Sequence, residues 1–394
     1  MSEEIVRIAA RGDGVTASGR HVAFAVPGDR FGDDGTLAPG PGHQQPLCRH
    51  FPECGGCQLM HVADPAYRDY LRDRIVGALA QHRIDAEIRE PHLSPARSRR
   101  RASLRALKLG RGVALGFNAA KSTQIVDLRE CHILAPELFA LLGPLRTQLA
   151  TMLKPKRTAE VQLTLLDQGV DIGLSGVTVD GYEAAEALTL FCEANRLARL
   201  TIDEGLGAEV RYEPRPATIT LSGLAVPFPP GAFLQATKDG EATLVAGVRE
   251  AVGAAGTIAD LFAGLGTFAL ALDGHLLAAE AARDVVFGLK TAAAMAGRLL
   301  AVDHRDLYRR PLTARELANF DAVVLDPPRA GAVEQIAQLA ASTVPRIAYV
   351  SCNPATFARD AETLVAGGYR LAWVQPVGQF RWSTHVELVA CFMR

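Results

Sequence analysis

The sequence lacks the features that would take it to or across a membrane. It has no run of about 18 apolar residues, the length that a membrane-spanning helix needs. Its first residues, MSEEIVRIAARGDG, do not show the basic-then-apolar order of a secretory signal. We therefore expect a cytoplasmic protein without membrane contacts, and a monomer in the absence of any signal for assembly.

A strong charge of either sign is also missing. With 42 Lys and Arg against 43 Asp and Glu, the formal net charge is −1, which excludes a polycation that binds nucleic acid through its overall charge. Nucleic-acid binding then requires a local patch, and Arg97–Arg101, continuing to Arg105, Lys108 and Arg111, offers one. Taken alone, such a run is more typical of a solvated basic loop.

The seven cysteines are an odd number, and structural disulfides are rare in the cytoplasm. Three lie close together and a fourth follows much later. Zinc ribbons use two Cys-x2-Cys pairs, whereas only one is present, so an iron–sulfur cluster suits the set better than zinc. Zinc and unliganded thiols remain open, while Cys192 and Cys391 are in apolar contexts typical of a core. The four candidate ligands are Cys48, Cys54, Cys57 and Cys131.

The length of 394 residues predicts two to three domains. Residues 1–45 form a short β segment, with strands at 6–8 and 22–26 and a Gly/Pro-rich linker from residue 27. Residues 46–225 mix strands and helices without regular alternation, which indicates an α+β domain. Residues 226–394 alternate strands and helices and predict a doubly wound, Rossmann-like α/β sheet. The last strand follows its predecessor without a helix, so we expect it to be antiparallel.

The first strand of the third domain ends in a Gly-x-Gly turn at Gly264 and Gly266, where the chain can approach a ligand closely. The third glycine of the dinucleotide pattern is absent, as is a phosphate-binding loop, which favours a nucleoside without pyrophosphate. Glu280, about 20 residues downstream, is spaced to accept hydrogen bonds from ribose hydroxyls. Two prolines hold Asp326 rigidly at the end of the fourth strand, which suits contact with a flat base.

Cys352 ends the fifth strand and precedes Asn353-Pro354, a typical helix start. A helix N-terminus lowers the pKa of a thiol, so this position favours a nucleophilic thiolate over an inert core cysteine. Glu387 opens the last strand and is a candidate general base. The carboxyl ends of parallel strands share one sheet edge, where we expect Asp326, Cys352 and Glu387 to meet.

Such a set suits methylation of uracil at C5. That carbon is too weak a nucleophile by itself, and addition of a thiolate at C6 converts the ring to an enolate that can attack a sulfonium methyl. A base must then remove the C5 proton so that the thiolate can leave.

Three motifs, Asp326-Pro-Pro-Arg-Ala-Gly331, Val350-Ser-Cys-Asn-Pro354 and His385-Val-Glu387, resemble those of RNA uracil-5-methyltransferases, and Gly231-Ala-Phe-Leu-Gln235 is similar to their Phe-x-Gln element. The cysteine spacing resembles the ribosomal RNA branch with a [4Fe-4S] cluster. The resemblance implies Cys352 as nucleophile, Glu387 as base and the four cysteines above as cluster ligands. It implies contacts with S-adenosyl-L-methionine for Gln235, Phe262, Thr267, Glu280, Asp306 and Asp326.

The sequence departs from the family in places. Residues 6–26 resemble only the first half of an RNA-binding OB/TRAM-like β-barrel, so we expect a truncated barrel. Thr237 stands where relatives have Asn, and Ala263 where many have Cys. Transfer RNA is the nearest alternative to a 23S ribosomal RNA substrate, and a non-catalytic iron–sulfur RNA-binding protein is an alternative of another class. A cytosine-5 enzyme is disfavoured because Arg329 replaces its second Cys, and an amino-group methyltransferase would need no Cys352.

Overall fold

The computed structural model describes residues 2–394, which divide by their internal contacts into two compact units. The first unit contains the chain up to Pro46, Gln58–Ser94 and Asp239–Arg394. The second contains Leu47–Cys57 and Pro95–Lys238. Contacts therefore divide the chain differently from a linear cut after residues 45 and 225, because residues 58–94 pack with the C-terminal part.

The first unit begins with a five-stranded antiparallel sheet in the order β3-β2-β1-β4-β5. The stretch from residue 27, predicted as a linker, contains the last two strands, and that prediction is wrong. The fully buried Asp29 forms the turn, since it accepts hydrogen bonds from the backbone nitrogens of Val26 at 2.8 Å and Gly40 at 2.7 Å. The strands are β1 Glu3–Ile8, β2 Gly14–Thr16, β3 His21–Val22, β4 Arg30–Phe31 and β5 Leu37–Ala38.

Helix α1, Asp64–Gln81, follows in the same unit with Pro65 in its first turn. Its inner face buries Tyr67, Tyr70 and three aliphatic side chains in the core that also contains residues of the C-terminal strands. Two short strands come next, β6 Glu87–Ile88 and β7 His92–Leu93.

The second unit has a six-stranded sheet in the order β13-β12-β11-β10-β8-β9, in which only the β11–β12 pair is parallel, and a separate β14–β15 hairpin. Burial alternates along β8 and β10, so one face of the sheet lies on a core shared with the helices. The α+β prediction describes this unit well. Its elements are β8 Arg101–Leu109, β9 Gly112–Gly116, α2 Pro136–Ala140, α3 Leu142–Met152, β10 Thr158–Leu166, β11 Gly169–Ser175, α4 Tyr182–Ala194, β12 Arg199–Asp203, β13 Ala208–Tyr212, β14 Thr218–Leu221 and β15 Leu224–Pro227.

The C-terminal part of the first unit confirms the doubly wound sheet, with strands in the order β18-β17-β16-β19-β20-β22-β21-β6 and β7 also paired with β21. Strands β16 to β20 are parallel, and β22 is antiparallel to both neighbours, as expected. The elements are α5 Lys238–Val252, β16 Thr257–Leu261, β17 His275–Glu280, α6 Arg283–Met295, β18 Leu300–His304, α7 Ala314–Leu317, β19 Ala322–Leu325, α8 Val333–Ala340, β20 Arg346–Ser351, α9 Pro354–Ala366, β21 Arg370–Gly378 and β22 Glu387–Met393.

This topology brings the carboxyl ends of five parallel strands and the amino end of β22 to one edge of the sheet. In an open α/β sheet, that edge is where ligands bind. Among the helices that the structure describes, none is long and apolar enough to cross a membrane.

Candidate active site

The turn after β16 brings the backbone close to the end of β17. Phe262 and Gly264 have φ of +61° and +54°, and Gly266, with φ of +87°, has no room for a Cβ beside Leu289. Glu280 accepts a hydrogen bond from the Gly264 nitrogen at 3.0 Å through Oε2. Its Oε1 accepts from the next two backbone nitrogens of the chain, each at 2.8 Å. The Glu280 carboxylate is therefore fixed against the glycine turn, where it can meet a nucleoside.

An aromatic pair borders the same edge. The rings of Phe262 and Tyr308 lie 5.4 Å apart between centroids, and the Tyr308 hydroxyl donates to the Gly331 oxygen at 3.0 Å. Asp306 accepts from the Tyr308 nitrogen at 3.0 Å and so fixes this aromatic residue. Thr267 lies half-buried in the glycine turn. Sequence reasoning missed Tyr308, which stands in a loop after β18 without a motif of its own.

Gln235, the remaining predicted cofactor contact, belongs to the second unit. It is buried, and its backbone oxygen accepts a hydrogen bond from Arg100 Nε at 3.0 Å. The other five predicted contacts are brought to the sheet edge of the first unit.

Two carboxyls, the fully buried Asp260 and the half-buried Asp326, lie at the ends of neighbouring strands β16 and β19. Burial raises the pKa of Asp326 to about 7. Burial, with smaller contributions from Asp326 and Glu280, raises the pKa of Asp260 to about 8, although the Ala269 nitrogen donates to its Oδ2 at 2.9 Å. Among residues 2–394, Oδ1 of Asp260 has no hydrogen-bond partner. Sequence reasoning gave Asp260 no role, and its one signal was an acidic residue just before the glycine turn.

Cys352 follows β20 as predicted, and Asn353 caps α9 by accepting a hydrogen bond from the Ala355 nitrogen at 3.1 Å. Glu387, almost fully buried, is the first residue of β22. Ser351 pairs with Leu388 in the antiparallel ladder, so Cys352 and Glu387 are neighbours at the end of that pairing. The structure therefore brings the predicted nucleophile and base together.

The expected thiolate at Cys352 is not favoured in this arrangement. Burial, followed by the charges of Glu387 and Asp326, raises the pKa of the Cys352 thiol to about 11, and the positive charge of Arg329 offsets only part of this. The prediction from the helix N-terminus was wrong because two carboxylates and desolvation outweigh the helix dipole. Without a further positive charge nearby, Cys352 is a thiol at neutral pH.

The loop after Asp326 is fastened to α9, the helix that Cys352 precedes. The Arg329 oxygen accepts from Asn353 Nδ2 at 3.2 Å and from Thr356 Oγ1 at 3.3 Å. Asp360 Oδ2 accepts from the Ala332 nitrogen at 3.1 Å and from the Tyr349 hydroxyl at 2.7 Å. The predicted nucleophile and the Asp326 loop are thus held together by hydrogen bonds through α9.

The basic segment after Arg97 does not form a continuous solvent-facing patch, contrary to expectation. Arg100 is buried, and Arg105 forms an ion pair with Glu160. Lys108 donates a hydrogen bond to the Ala150 oxygen. Arg101 lies 4.3 Å from the ring centroid of Phe233. Of the basic residues in this segment, only Arg97 and Arg111, at the two ends, are exposed.

The four candidate ligand cysteines all lie in the second unit. Burial is the main cause of the raised pKa of each thiol, and the thiols also raise one another's pKa values. Arg99 lies close enough to the thiols of Cys57 and Cys131 to lower their pKa values. Within residues 2–394, no group of three or more His, Cys, Asp or Glu side chains is arranged to hold a metal ion. The thiols are neighbours, but they do not converge on a single ion.

Comparison with known proteins identifies the family. The sequence profile of the tRNA (uracil-5-)-methyltransferase family matches residues 300–394. An uncharacterised RNA methyltransferase of Zymomonas mobilis is 50% identical over 395 residues that cover 100% of both chains. The 23S rRNA (uracil(1939)-C(5))-methyltransferase RlmD of Aeromonas salmonicida is 31% identical over 90% of this chain and 84% of the relative.

The fold agrees with this relationship. The crystal structure of the tRNA (uracil-54, C5)-methyltransferase of Pyrococcus abyssi, in complex with S-adenosyl-L-homocysteine, superposes with a TM-score of 0.75 at 21% identity, covering 100% of this chain and 99% of that one. The sheet edge, the strand-end carboxyls and the full-length relatives lead to one assignment. The chain belongs to the RNA uracil-5-methyltransferase family of S-adenosylmethionine-dependent enzymes.

Proposed function

We propose that the protein methylates C5 of a uridine in 23S ribosomal RNA through a covalent bond between Cys352 and C6 of the base. The observation that carries the proposal is the proximity of Cys352 to Glu387 and Asp326, whose charges both raise the pKa of the Cys352 thiol. The proposal goes beyond family membership, because it assigns a nucleophile, a base and an RNA.

Each side chain has a defined task in this reaction. The Cys352 thiol releases its proton to solvent, its sulfur adds to C6, and the electron pair of the C5–C6 double bond moves toward the C4 oxygen as an enolate. When bound, S-adenosylmethionine supplies an electrophilic methyl group on a positively charged sulfur. Glu387 then takes the C5 proton, the double bond re-forms, and the Cys352 sulfur leaves C6. Near neutral pH, Asp326 with its raised pKa is available to donate a hydrogen bond to a uracil carbonyl.

The residues of the sheet edge suit the cofactor. Glu280 offers carboxylate oxygens for ribose hydroxyls, Phe262 offers an aromatic face, and Asp326 offers a polar group at the end of β19. We propose these residues, with Thr267 and Asp306, as the binding site in the first unit, and for Gln235, in the second unit, the cofactor contact stays a prediction from the sequence. The positive sulfur also supplies the charge that the Cys352 thiol needs, so nucleophile activation would follow cofactor binding.

The reaction is tested with tritium-labelled S-adenosylmethionine and RNA from a strain that lacks the gene. We expect label in 5-methyluridine with wild-type protein and none with Cys352→Ala. Glu387→Gln can form the bond to C6 but cannot remove the C5 proton, so it should trap a protein–RNA adduct that survives denaturing electrophoresis. Full activity of Cys352→Ala would exclude the covalent route, and absence of labelled 5-methyluridine would exclude the reaction itself.

The choice of ribosomal RNA rests on the relative named for 23S rRNA and on the four cysteines, since the cysteine spacing resembles the ribosomal RNA branch. Separate incubations with ribosomal and transfer RNA fractions decide between the two substrates. We expect the label in the 23S fraction, and label confined to transfer RNA would reverse the assignment.

We also propose that Cys48, Cys54, Cys57 and Cys131 hold a [4Fe-4S] cluster. The proposal is supported by the spacing of three close cysteines and one distant one, with one Cys-x2-Cys pair where zinc ribbons use two, and by the effect of Cys131 on the pKa values of the other three thiols. The cluster would supply structural bracing, because the reaction contains no redox step. Anaerobically purified protein should absorb near ~400 nm, as iron–sulfur proteins do, and Cys57→Ser should lose this band while Cys192→Ser keeps it. Stoichiometric zinc in colourless protein would contradict the proposal.

A further inference from the structure

Residues 379–386, the base loop, lead from β21 into Glu387 and are held by α1. The Tyr67 hydroxyl, buried in the core, donates to the backbone oxygens of Ser383 at 2.9 Å and Phe380 at 3.2 Å. Arg381 forms a two-pronged ion pair with Asp64, at 2.6 Å and 2.9 Å. The first part of the loop is therefore anchored twice to the first half of the helix.

The part of the loop nearest Glu387 depends on a different side chain, Arg74. Its Nη1 lies 3.1 Å from each of three acceptors, the Thr384 oxygen, the Ala10 oxygen and the Tyr70 hydroxyl. The Tyr70 hydroxyl itself lies 3.2 Å from the Ala10 oxygen and 3.5 Å from that of Thr384. One guanidinium thus joins the base loop to the N-terminal β segment.

The turn of the N-terminal β segment at Gly12 packs closely against the base loop. Gly12, with φ of +97°, lies so close to the loop that a Cβ on it would be 3.4 Å from Thr384 Cγ2 and from Leu59 Cδ2. The Leu59 nitrogen in turn donates to the Trp382 oxygen at 2.8 Å. The β segment, α1 and the base loop therefore meet at one junction three residues from Glu387.

We propose that Arg74 is a positioning residue for the general base and couples the N-terminal β segment to it. The inference rests on the proposed covalent reaction. Glu387 acts only after methyl transfer, so a loosened base loop should slow proton removal and leave formation of the Cys352–C6 bond and methyl transfer unchanged. Loss of Arg74 should then make the methylated protein–RNA adduct accumulate, an effect that general destabilisation does not produce.

The test measures two quantities for each variant, the rate of methyl transfer in a single turnover and the fraction of protein in the RNA adduct on a denaturing gel during steady state. Arg74→Met keeps the aliphatic stem but removes the donors, and Tyr70→Phe removes one hydroxyl without altering the packing. Arg72→Met is the matched control, because Arg72 lies on the same helix but pairs with Glu90 and Asp69.

For Arg74→Met we expect unchanged methyl transfer, an adduct fraction several-fold above wild type and steady-state turnover reduced up to about 100-fold, the cost of a misplacement of ~1 Å. Tyr70→Phe should show the same change to a smaller extent, Arg74→Lys should recover part of the turnover, and Arg72→Met should match wild type. If Glu387→Gln traps adduct but Arg74→Met and Tyr70→Phe do not exceed wild type, the role of Arg74 is refuted. If Glu387→Gln traps none, the covalent reaction itself fails.

Discussion

The protonation state of Cys352 makes the most direct prediction. With the thiol pKa near 11, the thiolate fraction at pH 7.5 is about 300-fold below that of an ordinary cysteine with a pKa of about 8.5. A more basic thiolate is intrinsically more nucleophilic, with a Brønsted slope of about 0.4–0.5. Over ~2.5 pKa units this raises the rate constant of the thiolate roughly 10- to 18-fold and offsets part of the loss in thiolate fraction. The net expectation is that Cys352 reacts with iodoacetamide about 20-fold more slowly than a free cysteine at that pH.

The assay follows alkylation of the Cys352 peptide by mass spectrometry between pH 6 and pH 10.5. Restricted access of the reagent to Cys352 would lower the alkylation rate equally at every pH. The pKa of the thiol is therefore read from the pH at which the alkylation rate levels off. We expect the rate to rise throughout this range for the wild type. In Glu387→Gln the rate should level off at a lower pH, because the largest charge contribution to the raised pKa is gone.

A charged cofactor analogue supplies the second half of the test. Sinefungin carries a protonated amine in place of the sulfonium, whereas S-adenosylhomocysteine is neutral at sulfur, so only sinefungin should speed alkylation. A plateau near pH 8.5 in the cofactor-free wild type, or faster reaction than free cysteine at pH 7.5, would refute the reasoning.

Two further predictions concern stability. The pKa of Asp260 is about 8 in the folded protein against 3.8 for an ordinary aspartate, so ionisation of this buried group costs stability as the pH rises from about 4 to about 8. Asp260→Asn should therefore be more stable than wild type at pH 7, by up to about 4 kcal/mol in urea unfolding, and no more stable at pH 4; an equal effect at both pH values would contradict this. Arg199 is buried, and its Nε lies 2.9 Å from Oδ1 of Asp171. Changing Arg199 to Met should lower the free energy of unfolding by about 3–5 kcal/mol, because the Asp171 carboxylate is left buried without its partner. Arg199→Met/Asp171→Leu should recover part of this loss, and a double variant less stable than the single one would argue against it.

The sequence was sufficient to place the candidate catalytic residues at one sheet edge, but it did not reveal their pKa values. Cys352, Asp326 and Glu387 each follow or open an apolar strand, and strand ends of one sheet share an edge, so their meeting was predictable. The pKa of Cys352 was not predictable from the sequence, because it depends on how deeply the thiol is buried and how near Glu387 lies after folding. Pairwise distances across strands do not appear in local sequence patterns.

The same limit applies to the parts that support the site. The Arg74 contacts join positions more than 300 residues apart in the chain, which no periodicity reveals. The basic residues after Arg97 looked like a surface patch because charge is visible in sequence, whereas the pairing of Arg105 with Glu160 arises from the β8–β10 register, and Arg100 is buried with its side chain bound to the Gln235 oxygen.

By itself, the sequence determined the architecture of the C-terminal sheet and located the candidate nucleophile and base at strand ends, since strand alternation, glycine turns and strand-end residues are local properties. Only the tertiary structure decided that residues 58–94 belong with that sheet, that the N-terminal segment has five strands, and that Cys352 rests as a thiol. These properties depend on burial and on contacts between distant segments, which exist only once the chain has folded.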